Sequence, residues 1–371
     1  MKKRSVKLLS ILLVGAMALG LGACSKDVNS DSSTDPESTA KADSDISVGI
    51  VVKTATNAHF QDIAYGAVLA GQDLGITVKV DNTESESQIE EQVTKCENLI
   101  TAGVDAIILT PNDSSGVGGA VDAAHDAGIP FVTMDTEIDN LWGEDQYEYM
   151  PNFIGEDYEE VAYKLGKAVC EKLGGTGNVV ILRGVDAASS SQQRTAGLER
   201  AISEYDGITI IDSQSANYDQ DTAVTTLADI LQAHSEVDAV MCCNDLMAVG
   251  AVTALEENGF NVGENGVLVA GLDGNILALQ SIKQGKMYAT SYDYSMLQGY
   301  YAVEQAYALI QGKEVPKVTL TPDVVITSDN VDDHMPHMED VAAWNMGSPI
   351  GEVSEATRSY LNAAKELAEQ Q

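Results

Sequence analysis

The sequence predicts an α/β protein of two doubly wound parallel sheets. From Ile46 onward, short β-branched runs alternate with amphipathic stretches of about 12 to 18 residues, the pattern of βαβ units. The 371 residues suffice for two domains at roughly 100–200 residues each. A composition that is 44% hydrophobic and 21% charged can bury a sizeable core.

The chain opens with a segment that directs export. Lys2, Lys3, Arg4 and Lys7 form a basic head, and Leu8 to Ala23 then run without charge. That run is about 16 residues, short of the ~20 needed for a bilayer-spanning helix. It ends in Leu21-Gly22-Ala23-Cys24, which resembles the lipobox of bacterial lipoproteins. The resemblance implies cleavage after residue 23, acylation of Cys24 (palmitate among the chains) and a mature protein held outside the cell membrane by lipid alone. Residues 24–45 then form a linker. Its Ser25–Asp45 portion is rich in Ser, Asp and Glu with little to bury, so it is expected to be disordered.

The predicted strands follow in order: Ile46–Lys53, Ile76–Asp81, Val104–Pro111 and Ile129–Asp135, then Asn178–Arg183, Ile208–Ser213, Asp238–Asn244, Val267–Asp273 and Met287–Asp293. Helical periodicity marks Ser87–Ala102 and Thr222–Ala233, and Asp113 and Ser114 are placed as N-caps for the helix after Pro111. Glu137–Asn152, which lacks helical period, is placed as the crossing between the sheets. A last helix is predicted from Ser354, with Ala356, Tyr360 and Ala363 on one face.

Charge narrows the function. The chain carries 21 Lys+Arg against 57 Asp+Glu, a formal −36. Phosphate recognition rests on Lys and Arg, so nucleic acid and anionic surfaces are excluded as partners. In open α/β sheets ligands bind beyond the carboxyl ends of the strands. Those ends carry Asn57, His59 and Phe60, then Asp135, Tyr218, Asn244, Asp273 and Asp293, with Arg194 on a helix that begins at a run of serines. Paired donors and acceptors beside flat rings suit a polyol, whose hydroxyls both donate and accept and whose C–H face lies against an aromatic ring. One such Asp alone is an ordinary helix cap; a set of strand ends all polar in this way points to a ligand.

The chain from Ile46 to about Asn330 resembles the type I periplasmic sugar-binding proteins, the group of the ribose and galactose binders of ABC importers. The segments that carry the likeness are Ile50–Phe60, Gly103–Asn112, Gly128–Asp135, Arg194–Gly197, Val240–Gly250 and Val269–Gly274. The resemblance implies two lobes joined by a three-segment hinge. The first lobe would comprise 46–154 plus 294–322 and the second 155–293 plus 323–330, with 331–371 running past the usual family end. Asn57 and Phe60 then match first-lobe contacts, and His59 stands where ribose binders have a second aromatic. Asp135 matches a polar contact, Arg194 a ring-binding Arg and Tyr218 a stacking ring. Asn244 and Asp273 match further polar contacts, and Asp293 sits where the family has Gln or Asn near the hinge. Thr136 follows Asp135 where ribose binders carry Arg. A net negative pocket of Asp135, Asp273 and Asp293 against Arg194 admits a neutral hexose, an inositol or an aminated sugar. The calcium loop of galactose binders has no counterpart at Gly174–Asn178.

The resemblance implies a monomeric binding protein, not an enzyme, that captures a monosaccharide or polyol by hinge closure and delivers it to an ABC permease and its ATPase. The alternative is a ligand-sensing receptor subunit for a sugar or furanosyl autoinducer, signalling through a sensor kinase or chemoreceptor. A repressor of the same fold would carry a basic helix-turn-helix where this chain has its leader. No cofactor or metal is expected: Gly116, Gly118 and Gly119 lack dinucleotide spacing, and Cys96, Cys170, Cys242 and Cys243 lack metal-type spacing and read as core thiols. The run Asp332–Asp340 reads as a solvated acidic loop, because Pro336 interrupts any helical face.

Overall fold

A computed structural model describes residues 41–138 and 152–370. The leader, Cys24 and linker residues up to 40 lie outside the described residues, as do 139–151 of the expected crossing. One sheet holds β1 (Ser47–Thr54), β2 (Thr77–Thr83), β3 (Ala106–Leu109), β4 (Phe131–Met134) and β5 (Asn152–Gly155). A second holds β6 (Thr176–Arg183), β7 (Gly207–Ser215), β8 (Ala239–Cys242), β9 (Leu268–Leu272) and β10 (Ala289–Tyr292). The chain then adds β11 (Val318–Leu320) to the first sheet and β12 (Val324–Ile326) to the second. The strand orders are β11-β5-β4-β3-β1-β2 and β12-β10-β9-β8-β6-β7. All pairings are parallel except that of β12 with β10.

Central strands are buried on both faces, as parallel sheets covered by helices must be. In β3 Ala-Ile-Ile-Leu and in β8 Ala-Val-Met-Cys every residue is buried, whereas the edge strands β2 and β7 are half-exposed. The covering helices are α1 (Ala58–Leu74), α2 (Ile89–Thr101), α3 (Gly118–Asp126), α4 (Tyr158–Lys172), α5 (Ser189–Ser203), α6 (Gln220–Ala233), α7 (Asp245–Glu257), α8 (Ile276–Lys283) and α9 (Ser295–Ile310). Helices α1 and α9 cross at backbone contact through two glycines. A Cβ on Gly66 would lie 1.9 Å from the Met296 carbonyl oxygen, and one on Gly299 1.9 Å from that of Ile63. This crossing fixes the start of α1 against the segment that leaves β10.

Among the described residues the chain passes between the sheets after β5, after β10 and between β11 and β12. The expected crossing at Glu137–Asn152 is therefore corrected: β5, a four-residue strand at its end, still belongs to the first sheet and pairs with β4. Residues 41–45 of the linker are ordered, because Lys41 pairs with Asp105 and the Tyr307 hydroxyl donates to Asp43 at 2.7 Å. Asp113 and Ser114 do not cap α3. The Asp113 carboxylate closes a turn on the backbone N–H groups of Ser115 and Gly116, and the Ser114 hydroxyl accepts from Ser189 N.

The acidic run is helical, forming α10 (Val331–Ala343) straight through Pro336, and α11 (Glu355–Ala368) follows. Burial of His337, Met338 and Val341 outweighs the local cost of the proline. Ser354 does cap α11, but the buried face is Thr357, Leu361 and Ala364; Ala356 and Ala363 are exposed. This extension reaches both lobes. Arg358 makes two bonds to Asp73 of α1, at 2.6 and 2.9 Å, while Lys283 of α8 pairs with Asp332 of α10. Between them the Tyr360 ring stacks on His337 at 3.7 Å and on Tyr294, which follows β10, at 5.5 Å. The four described cysteines are buried free thiols.

Candidate functional site

A small polar cavity lies between the carboxyl ends of the two sheets. Asn57, His59, Phe60 and Asp135 reach it from the first; Arg194, Tyr218, Asn244 and Asp273 reach it from the second. Asp293, the last of the predicted residues, is just behind, its Oδ2 3.9 Å from both His59 Nδ1 and an Arg194 terminal nitrogen. Lys53, Glu86 and Ser190 also line the cavity, and Glu156 approaches Arg194 at 3.3 Å. Ser190 belongs to the serine run that opens the helix of Arg194; Lys53, Glu86 and Glu156 were not predicted. Lys53 is a charge ending an apolar strand, and Glu156 follows the short β5, so both obeyed the same strand-end rule.

Local backbone conformation aims several of these groups. Asp135 (φ 64°), Tyr218 (φ 60°) and Asp273 (φ 115°) occupy the left-handed region that L-residues avoid. Such conformations cost of order 1–3 kcal/mol each and persist where the surroundings enforce them, commonly at ligand sites. Asn57 and Asn244 serve twice. Each Oδ1 caps a helix, on His59 N for α1 and Met247 N for α7, while Asn57 Nδ2 donates to Glu86 at 3.1 Å and Asn244 Nδ2 to the Tyr218 carbonyl at 3.3 Å. Gly184 leaves space for the Tyr218 ring, since a Cβ there would lie 2.1 Å from a ring carbon.

The charges interlock. His59 Nε2 meets Asp135 Oδ1 at 2.9 Å, and Lys53 Nζ stands 3.4 Å from Asp135 Oδ2 and 3.9 Å from Glu86. Arg194 donates to Asp273 at 2.8 Å and to the Cys243 carbonyl at 2.9 Å. Thr136 Oγ1 donates to Asp135 at 2.8 Å, using the place where an Arg was noted to be missing. Burial opposes charge on His59, but Asp293, Asp273 and Asp135 together push its pKa up to about 10. Burial also raises Asp135, yet Lys53, the His59 hydrogen bond and Arg194 outweigh it and hold that carboxyl well below the usual range. Burial lifts Glu86 to about 7 and Asp293 to about 6. Among the described residues no cluster of His, Cys, Asp and Glu is arranged to hold a metal. No described helix is long and apolar enough to cross a membrane.

Comparison with known proteins locates this arrangement. A sequence profile of the periplasmic binding protein domain matches residues 48–314. The ribose import binding protein of Bacillus subtilis is 30% identical over 278 residues, covering 75% of this chain and 86% of that protein. A xylitol-binding protein of Mycolicibacterium smegmatis is 27% identical over 341 residues, 90% of this chain and 88% of its own. The crystal structure of an ABC transporter periplasmic solute-binding protein from Actinobacillus succinogenes with bound D-allose superposes with a TM-score of 0.72. It is 33% identical, covering 78% of this chain and 99% of that one.

Proposed function

Because the chain belongs to the periplasmic binding protein family, we propose that it captures a monosaccharide or related polyol outside the cytoplasm and hands it to an ABC importer without chemical change. The observation that carries this reading is the meeting of polar groups from two sheets around one cavity: His59 of the first lies 4.0 Å from Asp273 of the second, with Arg194 bridging Asp273 and Glu156. Relatives are named for ribose and xylitol and a structural neighbour holds bound D-allose, and donors, carboxylates and the Phe60 and Tyr218 rings are the groups that suit such ligands.

The mechanism is closure. Ligand bound to one lobe gains contacts from the other only when the cleft shuts, so its differential affinity moves the population to the closed form. The three passages between the sheets serve as the hinge, dividing the chain into the first lobe (46–154 with 294–322) and the second (155–293 with 323–330). Cys24 carries the lipid that tethers a monomeric protein to the membrane, and a permease with its ATPase takes the closed form.

A thermal-shift screen of the chain from Ser25 onward against pentoses, hexoses, alditols and inositols tests this. A ligand at 100 times its Kd adds about 2.7 kcal/mol of stability. The hit must vanish in Asp273→Ala. A panel with no hit, beside a shift by nucleosides or amines, would overturn the sugar reading.

A further inference from the structure

We propose that His59 restricts this site to uncharged polyols, its imidazolium standing where the ammonium of an aminated ligand would otherwise find its carboxylates. The inference rests on the polyol reading above and narrows it. Each of the three predicted carboxylates already has cations beside it. Asp135 has His59 Nε2 at 2.9 Å and Lys53 at 3.4 Å; Asp273 has Arg194 at 2.8 Å and His59 Nδ1 at 4.0 Å; Asp293 has both Arg194 and His59 Nδ1 at 3.9 Å. His59 is only 3% exposed and touches all three. With its pKa pushed up to about 10 it is protonated at neutral pH.

The polar atoms left without a hydrogen-bond partner in the protein give the same answer. Among the described residues, the charged groups around His59 leave two buried donors on cations, His59 Nδ1 and Arg194 Nε, and one buried acceptor on a carboxylate, Asp293 Oδ1, in this condition. A hydroxyl accepts from the first kind and donates to the second, so a polyol satisfies both. An ammonium only donates; it would leave the two cationic donors unmet and bring a fourth positive charge among Lys53, His59 and Arg194. A carboxylate on the ligand only accepts, and would meet the charge of Asp293. Leaving buried charged groups unpaired costs more than the bonds gained.

The test is calorimetric titration at pH 7.5 of the whole chain from Ser25 with D-ribose, D-allose, D-galactose, xylitol and myo-inositol. The tightest binder is then compared with its analogue in which one hydroxyl is replaced by an amino group. The analogue is expected to bind the native protein at least tenfold more weakly. In His59→Gln, which keeps a hydrogen-bonding group but not the charge, that ratio should fall to threefold or less, or invert. Equal or tighter binding of the analogue to the native protein overturns the inference while the polyol reading stands. So does a ratio unchanged in His59→Gln. Should that variant fail to fold, His59→Phe, which removes the charge with an aromatic of similar breadth, is read by the same ratio. Binding of neither neutral nor aminated polyols overturns the inference together with the polyol reading.

Discussion

Asp62 offers the sharpest test of how the hinge is built. It sits on α1, is 1% exposed, and its Oδ2 accepts three hydrogen bonds from the segment leaving β10: Tyr292 hydroxyl at 2.7 Å, Ser295 hydroxyl at 2.6 Å and Met296 N at 3.1 Å. Helix α9 starts after Tyr294, which is left-handed (φ 50°) and offers no side-chain cap. Asp62 therefore caps α9 from another helix. A cap is worth about 1 kcal/mol, and hydroxyl bonds to a charged acceptor about 1.5–3 kcal/mol each. Against them stands the burial of the charge, which pushes the carboxyl up despite its hydrogen bonds. Asp62→Ala, which orphans three donors, is expected to cost about 3 kcal/mol net, and Asp62→Asn, which keeps an acceptor, about 1 kcal/mol or less. At roughly 2–4 °C per kcal/mol for domains of this scale, Tm should fall by about 6–12 °C in the alanine variant and by a third of that in the asparagine one. Thermal unfolding followed by circular dichroism measures both. An alanine variant no less stable than the asparagine variant would refute the capping argument.

Other consequences are as specific. Gly184→Ala places a methyl group 2.1–2.4 Å from three carbons of the Tyr218 ring, so the ring must turn; ligand affinity should drop tenfold or more in calorimetry while cooperative melting is kept. Unchanged affinity would remove Tyr218 from the site. The raised pKa of His59 links stability to pH. The stabilisation from its protonation is complete below its ordinary value near 6.5 and lost as pH rises through about 10. In the ligand-free protein the stability gap between native and His59→Gln should thus narrow by a few kcal/mol from pH 6 to 10; a gap independent of pH contradicts the ion cluster with Asp135, Asp273 and Asp293. In the extension, Leu361→Ala should destabilise by about 2–3 kcal/mol in urea. Arg358→Ala, losing a part-exposed pair, should cost under about 1 kcal/mol. The reverse order would mean that ions, not apolar burial, hold α11 in place.

Strands announced by several β-branched residues were legible in the sequence: every predicted run overlaps an observed strand, with ends off by a residue or two. β5, β11 and β12 were not: β11 and β12 are three-residue, part-exposed strands at the sheet edges, and such a segment takes its pairing from neighbours rather than from its own composition. Pro336 misled because tertiary burial of His337 and Val341 overrides a local rule. At the site, the strand-end reading named residues that the fold brings around one cavity, but it passed over Lys53 and Glu156, which stand at strand ends as well. Charge pairing was the hidden part. That Asp135, Asp273 and Asp293 share one imidazolium is a fact of three dimensions, and so are the left-handed conformations of Asp135 and Asp273.

The extension beyond residue 330 changes what an affinity means for this protein. Tyr294 lies at one passage between the lobes, and its ring is stacked on Tyr360; Arg358 holds α11 to one lobe while Asp332 ties α10 to the other. A rotation of one lobe against the other turns the backbone at Tyr294 and so works against that stack, much as a door works against a spring fitted across its pivot. The stiffness of that spring is written in residues that never touch a ligand. Two chains with identical pockets, one carrying α10 and α11 and one ending at 330, would therefore hold the same sugar with different strength, because opening and shutting draws on a different elastic reserve.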